Sequence, residues 1–296
     1  LSNKRSINDY AFFLFLTGIF FLPSTLLIGG LFLISAAILG SFLNKRTYLK
    51  DKWNYPFLIF GIVIILSALL QNFVFNNKFE EIWDPILSLV GLGNWLPLIW
   101  FYWSFQTYLD SKDKRRLFAL SLISGTVPVL LTGFGQYFLN WNGPFETLNG
   151  LIIWYQRPIE YPGGLSGLFN NQNYAGSWLN FVWPFCLALF LEKGNLIFRK
   201  IIALSFVISI GFAAFLTYSR NAWIGLITSL PIVLGKKAIY IFLIVTTALI
   251  FILFLFNIFG QNLNFIINII PEKILLEFAD EGYKGLDSTR LDIFLS

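Results

Sequence analysis

The sequence contains no histidine and no methionine, holds a single cysteine, Cys186, and has only 12% charged residues. Each absence removes a class of chemistry. Without histidine, the chain lacks the side chain that most often serves as general base and metal ligand near neutral pH. One cysteine, set inside an apolar run, allows neither an intramolecular disulfide nor a cysteine metal site. Methionine is missing even at position 1, so the chain is expected to be a fragment or to start at an unusual codon. Soluble domains carry about a quarter charged residues, and half that leaves too little polar surface to face water. Walker, dinucleotide, zinc and Ser-His-Asp patterns are absent. The apolar runs also lack carboxylates, which argues against a proton-coupled pump.

What is present is apolar and aromatic. Hydrophobic residues make up 56% of the chain, with 34 Phe, 10 Trp and 12 Tyr, and the mean hydropathy is +0.69. This composition predicts an all-α, polytopic integral membrane protein, with aromatic rings at both interfaces. Apolar runs long enough to cross, or nearly so, predict about nine transmembrane helices: Tyr10–Leu22, Thr25–Leu43, Tyr55–Phe73, Asn94–Leu109, Leu117–Leu139, Tyr174–Leu191, Ile197–Leu216, Ala222–Leu234 and Ala238–Phe259. Pro23 and Ser24 mark the first turn. The segment Pro85–Gly93 is apolar but too short to span, and reads as interfacial or re-entrant.

Charge tests this map. Segments 1–9, 44–54, 110–116, 192–196 with Arg199 and Lys200 at the next helix start, and 235–237 hold 15 of the 21 basic residues but only 5 of the 16 acids. By the positive-inside rule these segments are cytoplasmic, and so is the N-terminus. Residues 1–259 then form a helical bundle with an external loop at 140–173, and 260–296 begin a second external segment. Trp95, Trp100 and Trp103 read as interfacial belt rather than as a sugar platform.

Two segments on the predicted external side carry candidate chemistry. Gly163–Gly176 joins a glycine-rich turn to a helix predicted to begin at Tyr174, with Asn173 as its cap. The free N–H groups and dipole of such a helix start favour an anion such as phosphate, although an ordinary capped loop fits the same pattern. Leu216–Trp223 places Arg220, next to Ser219, between two apolar helices. A guanidinium there can grip a phosphate or carboxylate at two points, or it can snorkel to lipid headgroups. Both readings stay open on residue chemistry alone.

These segments resemble the O-antigen ligase and polymerase superfamily of bacterial membrane proteins. Gly167-Leu168-Phe169-Asn170-Asn171-Gln172-Asn173-Tyr174-Ala175-Gly176 is similar to its glycine–asparagine–proline–asparagine motif. Thr217-Tyr218-Ser219-Arg220-Asn221-Ala222 looks like its threonine–serine–arginine helix junction. Ser288–Phe294 resembles the opening of its large periplasmic loop. Cyanobacterial relatives labelled as bicarbonate transporters share the pattern.

The resemblance implies a glycosyltransferase-C-like bundle in the bacterial inner membrane. It implies transfer of a saccharide from a polyprenyl-diphosphate donor at the periplasmic face, as in lipopolysaccharide and polysaccharide biosynthesis, with no metal or other cofactor. Arg220 matches the arginine that holds the donor diphosphate, with Ser219 and Asn173 beside it in the motifs. Gln172 stands where the family has proline. The arginine before the glycine is missing, and Arg157 is the candidate replacement. The family histidine lies beyond Ser296, so the resemblance implies catalytic groups in a continuation of the chain. Membrane lipid is the expected surrounding partner, and nucleic acid is not expected. A polytopic transporter of bicarbonate or lipid-linked saccharide, and a non-catalytic remnant, are the alternatives.

Overall fold

A computed structural model describes residues 2–44, 48–73, 85–160, 163–192, 194, 196–235 and most of 238–251. The motif at 288–294, the segment from 260 onward and the acids Glu80, Glu81 and Asp84 lie outside the described residues. The chain divides into two compact units, Leu1–Leu122 and Ile123–Ser296.

The N-terminal unit is built on α1 (Ser2–Phe21), α2 (Leu26–Leu43), α3 (Tyr55–Phe73) and α4 (Pro85–Phe105), with α5 (Lys112–Gly125) running across the boundary. α1 and α2 form a hairpin, and their small residues let the backbones approach closely: a Cβ on Gly29 would sit 2.7 Å from the Leu22 nitrogen. α2 meets α4 in the same way, because a Cβ on Gly40 would come within 2.6 Å of the Ser104 carbonyl oxygen. Two polar groups at this crossing find internal partners, as an apolar surround favours, while the buried Trp103 Nε1 has none among the described residues. Trp100 Nε1 donates to Ser41 Oγ at 2.8 Å, and the Tyr108 hydroxyl donates to the Ala36 carbonyl at 2.7 Å. Phe15 stacks among Phe105, Tyr108 and Phe118 at centroid distances of 4.8, 5.1 and 5.8 Å.

Pro85–Gly93 is not a separate short element. It is the first half of α4, which passes through Asn94 and Pro97 without a break. Proline removes one ladder hydrogen bond, and helices in an apolar medium tolerate that loss where neighbours re-satisfy the freed carbonyl.

The C-terminal unit contains α6 (Val127–Leu139), a two-stranded antiparallel hairpin of β1 (Phe145–Thr147) and β2 (Ile152–Trp154), then α7 (Gln172–Leu191), α8 (Ile197–Leu216) and α9 (Arg220–Leu234). α7 is the hub, packed on both α8 and α9. Trp183 Nε1 donates to the Val207 carbonyl of α8 at 2.9 Å, and Trp178 Nε1 reaches Thr126 Oγ1 at 3.0 Å. Ala175, Leu179, Val182 and Cys186 form the fully buried stripe of α7. The hairpin is the one departure from an all-helical fold among the described residues.

Among the described residues, five helices are long and apolar enough to cross a membrane: Leu26–Leu43, Lys52–Leu70, Lys112–Leu139, Gln172–Leu191 and Ile197–Leu216. Ile7–Phe21, Arg220–Leu234 and Ala238–Ala248 are apolar but shorter. Outward-facing Leu31, Ile59, Phe198, Ile208 and Ile232 are exposed on several of these helices. Water does not accept so broad an apolar surface, whereas lipid does. The chain is therefore a helical membrane protein.

Candidate functional site

The site grows from the junction between α8 and α9. Thr217 ends α8 by folding its Oγ1 back to the Ala214 carbonyl at 2.7 Å, and the same oxygen accepts from the Ser219 N–H at 3.2 Å. Tyr218 is forced to φ 51°, a left-handed conformation that costs a bulky residue energy. Its hydroxyl meets that of Tyr137 at 3.0 Å. Burial first, and this contact second, push the Tyr218 phenol up to about 12, so it remains neutral across the physiological range.

Ser219 takes the N-cap position of α9, but its side chain makes no capping bond. Its hydroxyl is buried, with the residue 2% exposed, and it has no hydrogen-bond partner among the described residues. Arg220 is the first residue of α9, two positions earlier than the sequence pattern placed the helix start. A cation here opposes the positive end of the helix dipole.

The glycine-rich segment wraps this junction. The Leu165 N–H donates to the Leu216 carbonyl at 2.9 Å. Gly164 lies so close to Thr217 that any Cβ would collide with its carbonyl. Gly176 of α7 faces Ser219 and Ala222, where an added Cβ would fall 3.0 and 2.9 Å from their Cβ atoms. The two motifs singled out in the sequence are thus packed against each other.

Asn171, rather than Asn173, caps α7: its Oδ1 accepts from the Asn173 N–H at 2.7 Å. Asn173 itself is an exposed residue of the first turn. Gln172, which replaces the expected proline, reaches back so that its Oε1 accepts the Gly164 N–H. This bond ties the loop to the helix that follows it.

Gln136 of α6 is a residue that the sequence reading passed over. It is 3% exposed and fully engaged. Its Oε1 accepts from the N–H groups of Ser166 and Gly167, both at 2.9 Å, and its Nε2 donates to Ser166 Oγ at 2.9 Å and to the Arg157 carbonyl at 2.8 Å. Arg157 is exposed. A run of bonds from its backbone through Gln136, Ser166 and Leu165 reaches the α8–α9 junction. A lone glutamine in an apolar run was the available signal, since a buried amide must find partners.

A polar cavity of about 500 Å³ lies in the N-terminal unit, among Asn44, Asp51, Gln106 and the ion pair of Lys114 with Asp110 at 3.0 Å. It includes none of the motif residues. No family model, no curated protein and no solved structure matches this chain.

Proposed function

We propose that the α8–α9 junction binds the diphosphate of a polyprenyl-linked saccharide, and that the protein is a metal-independent glycan ligase or polymerase of the O-antigen ligase type. The observation that carries this reading is the packing of the Gly163–Gly176 loop against the Ser219–Arg220 helix start. An anion bound there relieves the conflict between the Arg220 charge and the α9 dipole. It also gives the buried Ser219 hydroxyl an acceptor. When the sugar–oxygen bond breaks, the electron pair leaves on the diphosphate, and Arg220 stabilises that charge as it develops. Arg157 is the second cation of the same loop system, and Asn173 offers an exposed amide at its edge. The proton of the acceptor hydroxyl passes to a general base as the new glycosidic bond forms.

The topology that goes with this reading has nine spans in a bacterial inner membrane, with the N-terminus in the cytoplasm. Loop 140–173 and the α8–α9 link then share the periplasmic face, where lipid-linked donors are consumed.

The test is binding of a polyprenyl-diphosphate saccharide to protein in nanodiscs. Loss of one charge-assisted, two-point contact costs about 1.5–3 kcal/mol. Arg220→Ala is therefore expected to weaken binding by about 10- to 150-fold. Unchanged affinity in that variant removes the reading.

A further inference from the structure

The β1–β2 hairpin is an exposed apolar structure fixed at a definite depth. Its turn is Leu148-Asn149-Gly150-Leu151, closed by the Leu151 N–H on the Leu148 carbonyl at 3.2 Å. Asn149 and Gly150 both have positive φ, at 54° and 82°, as an Asn-Gly type I′ turn requires. Leu148 also stands at φ 52°, where a branched side chain is strained. Nothing in the described protein covers the leucines at this tip: Leu148 is 61% exposed and Leu151 65%. Phe145, Ile153 and Tyr155 are exposed beside them. From 138 to 159 the only charges are Glu146 and Arg157.

Two glutamines set the height of this hairpin. Gln156 Nε2 donates to the Thr132 carbonyl at 3.1 Å and to the Trp141 carbonyl at 3.0 Å, while Gln136 holds the Arg157 carbonyl. Trp141 packs its ring on Gly135. The return limb of the hairpin thus lies beside residues 132–136 of α6, below the end of that helix. α6 is apolar from Val127 to Leu139, apart from Thr132 and Gln136. Thr132 and Gln136 lie about 10 and 5 Å short of the end of α6 at about 1.5 Å per residue. The exposed apolar surface of α6, at Phe138 and Leu139, runs directly on into Trp141.

We propose that the hairpin is an interfacial anchor whose leucine tip and aromatic flanks insert into the leaflet at the end of the bundle where α6 stops. Its partner is the lipid surface itself. Trp141, Trp154 and Tyr155 supply the amphipathic rings that favour the headgroup level. Continuity with the lipid-facing side of α6 favours this occupant over a second protein. The proposal rests on the membrane assignment and is independent of glycan transfer.

The buried Cys186 makes a direct test practical, because a cysteine placed on the hairpin is the accessible one. Leu148→Cys and Ile153→Cys, each in a Cys186→Ser background, are labelled with an environment-sensitive nitrobenzoxadiazole dye. They are then reconstituted in phosphatidylcholine–phosphatidylglycerol vesicles. The expected result is blue-shifted emission, quenched by lipids spin-labelled on the acyl chain and spared by aqueous iodide. Quenching by iodide alone, or protection from both quenchers, overturns the proposal. In a further variant the dye at position 153 reports on Leu148→Asn with Leu151→Asn. Asparagine accepts the left-handed turn, so the fold is kept, and the dye is expected to lose its lipid quenching. Retention of that quenching also counts against the anchor.

Discussion

The N–H of Leu165 donates to the carbonyl of Leu216 at 2.9 Å, joining a loop that precedes α7 to the last residue of α8. Through this bond the glycine-rich loop and the arginine-bearing helix start become one structure. Changes on either side are therefore expected to be felt on the other.

Arg220→Lys separates charge from shape. Lysine keeps the cation but loses the planar fork. Its affinity for a polyprenyl diphosphate in nanodiscs is expected to fall between wild type and Arg220→Ala. Equal affinity for the lysine and arginine proteins would show that two-point binding is not used.

Gly164→Ala drives a methyl group into the Thr217 carbonyl, and backbone cannot swing aside as a side-chain tip can. Overpacking of this kind costs about 1–3 kcal/mol. A lower thermal midpoint and weaker diphosphate binding are expected together, the first read by unfolding in detergent and the second in nanodiscs.

Gln136→Leu keeps the bulk and removes every bond. The Ser166 and Gly167 N–H groups and the Arg157 carbonyl then lose their partner, at about 1–3 kcal/mol for each orphaned group. Gln136→Glu retains the acceptor for the two N–H groups but loses the donor to Arg157. Hydrogen exchange should accelerate at 166–167 in the leucine protein, and much less in the glutamate protein.

Tyr218 gives a pH signature. Its phenol rises from 10.0 to about 12, so the native state holds the proton more tightly than the unfolded chain does. The stability it contributes is therefore whole below pH 10.0 and is lost as the pH climbs to about 12. Subtracting the tyrosinate titration of Tyr218→Phe from that of wild type should leave one late-titrating group. A difference curve centred near 10 would contradict the buried pairing with Tyr137.

Gly40 and Gly30 make a matched pair on α2. A methyl group at 40 meets the Ser104 backbone oxygen, whereas one at 30 meets nothing within 4 Å. Gly40→Ala is expected to destabilise by about 1–3 kcal/mol. Gly30→Ala should be neutral or stabilising by up to about 1 kcal/mol through helix propensity. Thermal unfolding of the two variants side by side reads the difference.

The first helix pair was legible at Pro23, whereas the basic run Lys112–Arg116 lies inside α5, which starts at Lys112 rather than Leu117. Between Pro85 and Phe105 the pattern misled, because Asn94 and Pro97 interrupt the composition of a helix that the backbone continues through. The close approach of the two motifs was foreshadowed by their glycines, since Gly164 and Gly176 are small where another backbone or a second helix must pass. Gln136 and Gln156 were not weighed, although a single amide in an apolar run announces a buried network. Tyr218 could not be foreseen, because nothing in its neighbours specifies a left-handed tyrosine. The Asn149-Gly150 turn is readable from residue type, since both residues accept positive φ.

One consequence follows from Gln136 for how the protein is made. The loop at 166–167 has no ladder of its own; an amide 30 residues earlier shapes it. That amide is synthesised 30 residues ahead of the loop it shapes, so it leaves the ribosome first. The mould therefore exists ahead of the casting, and the loop can set as soon as it emerges.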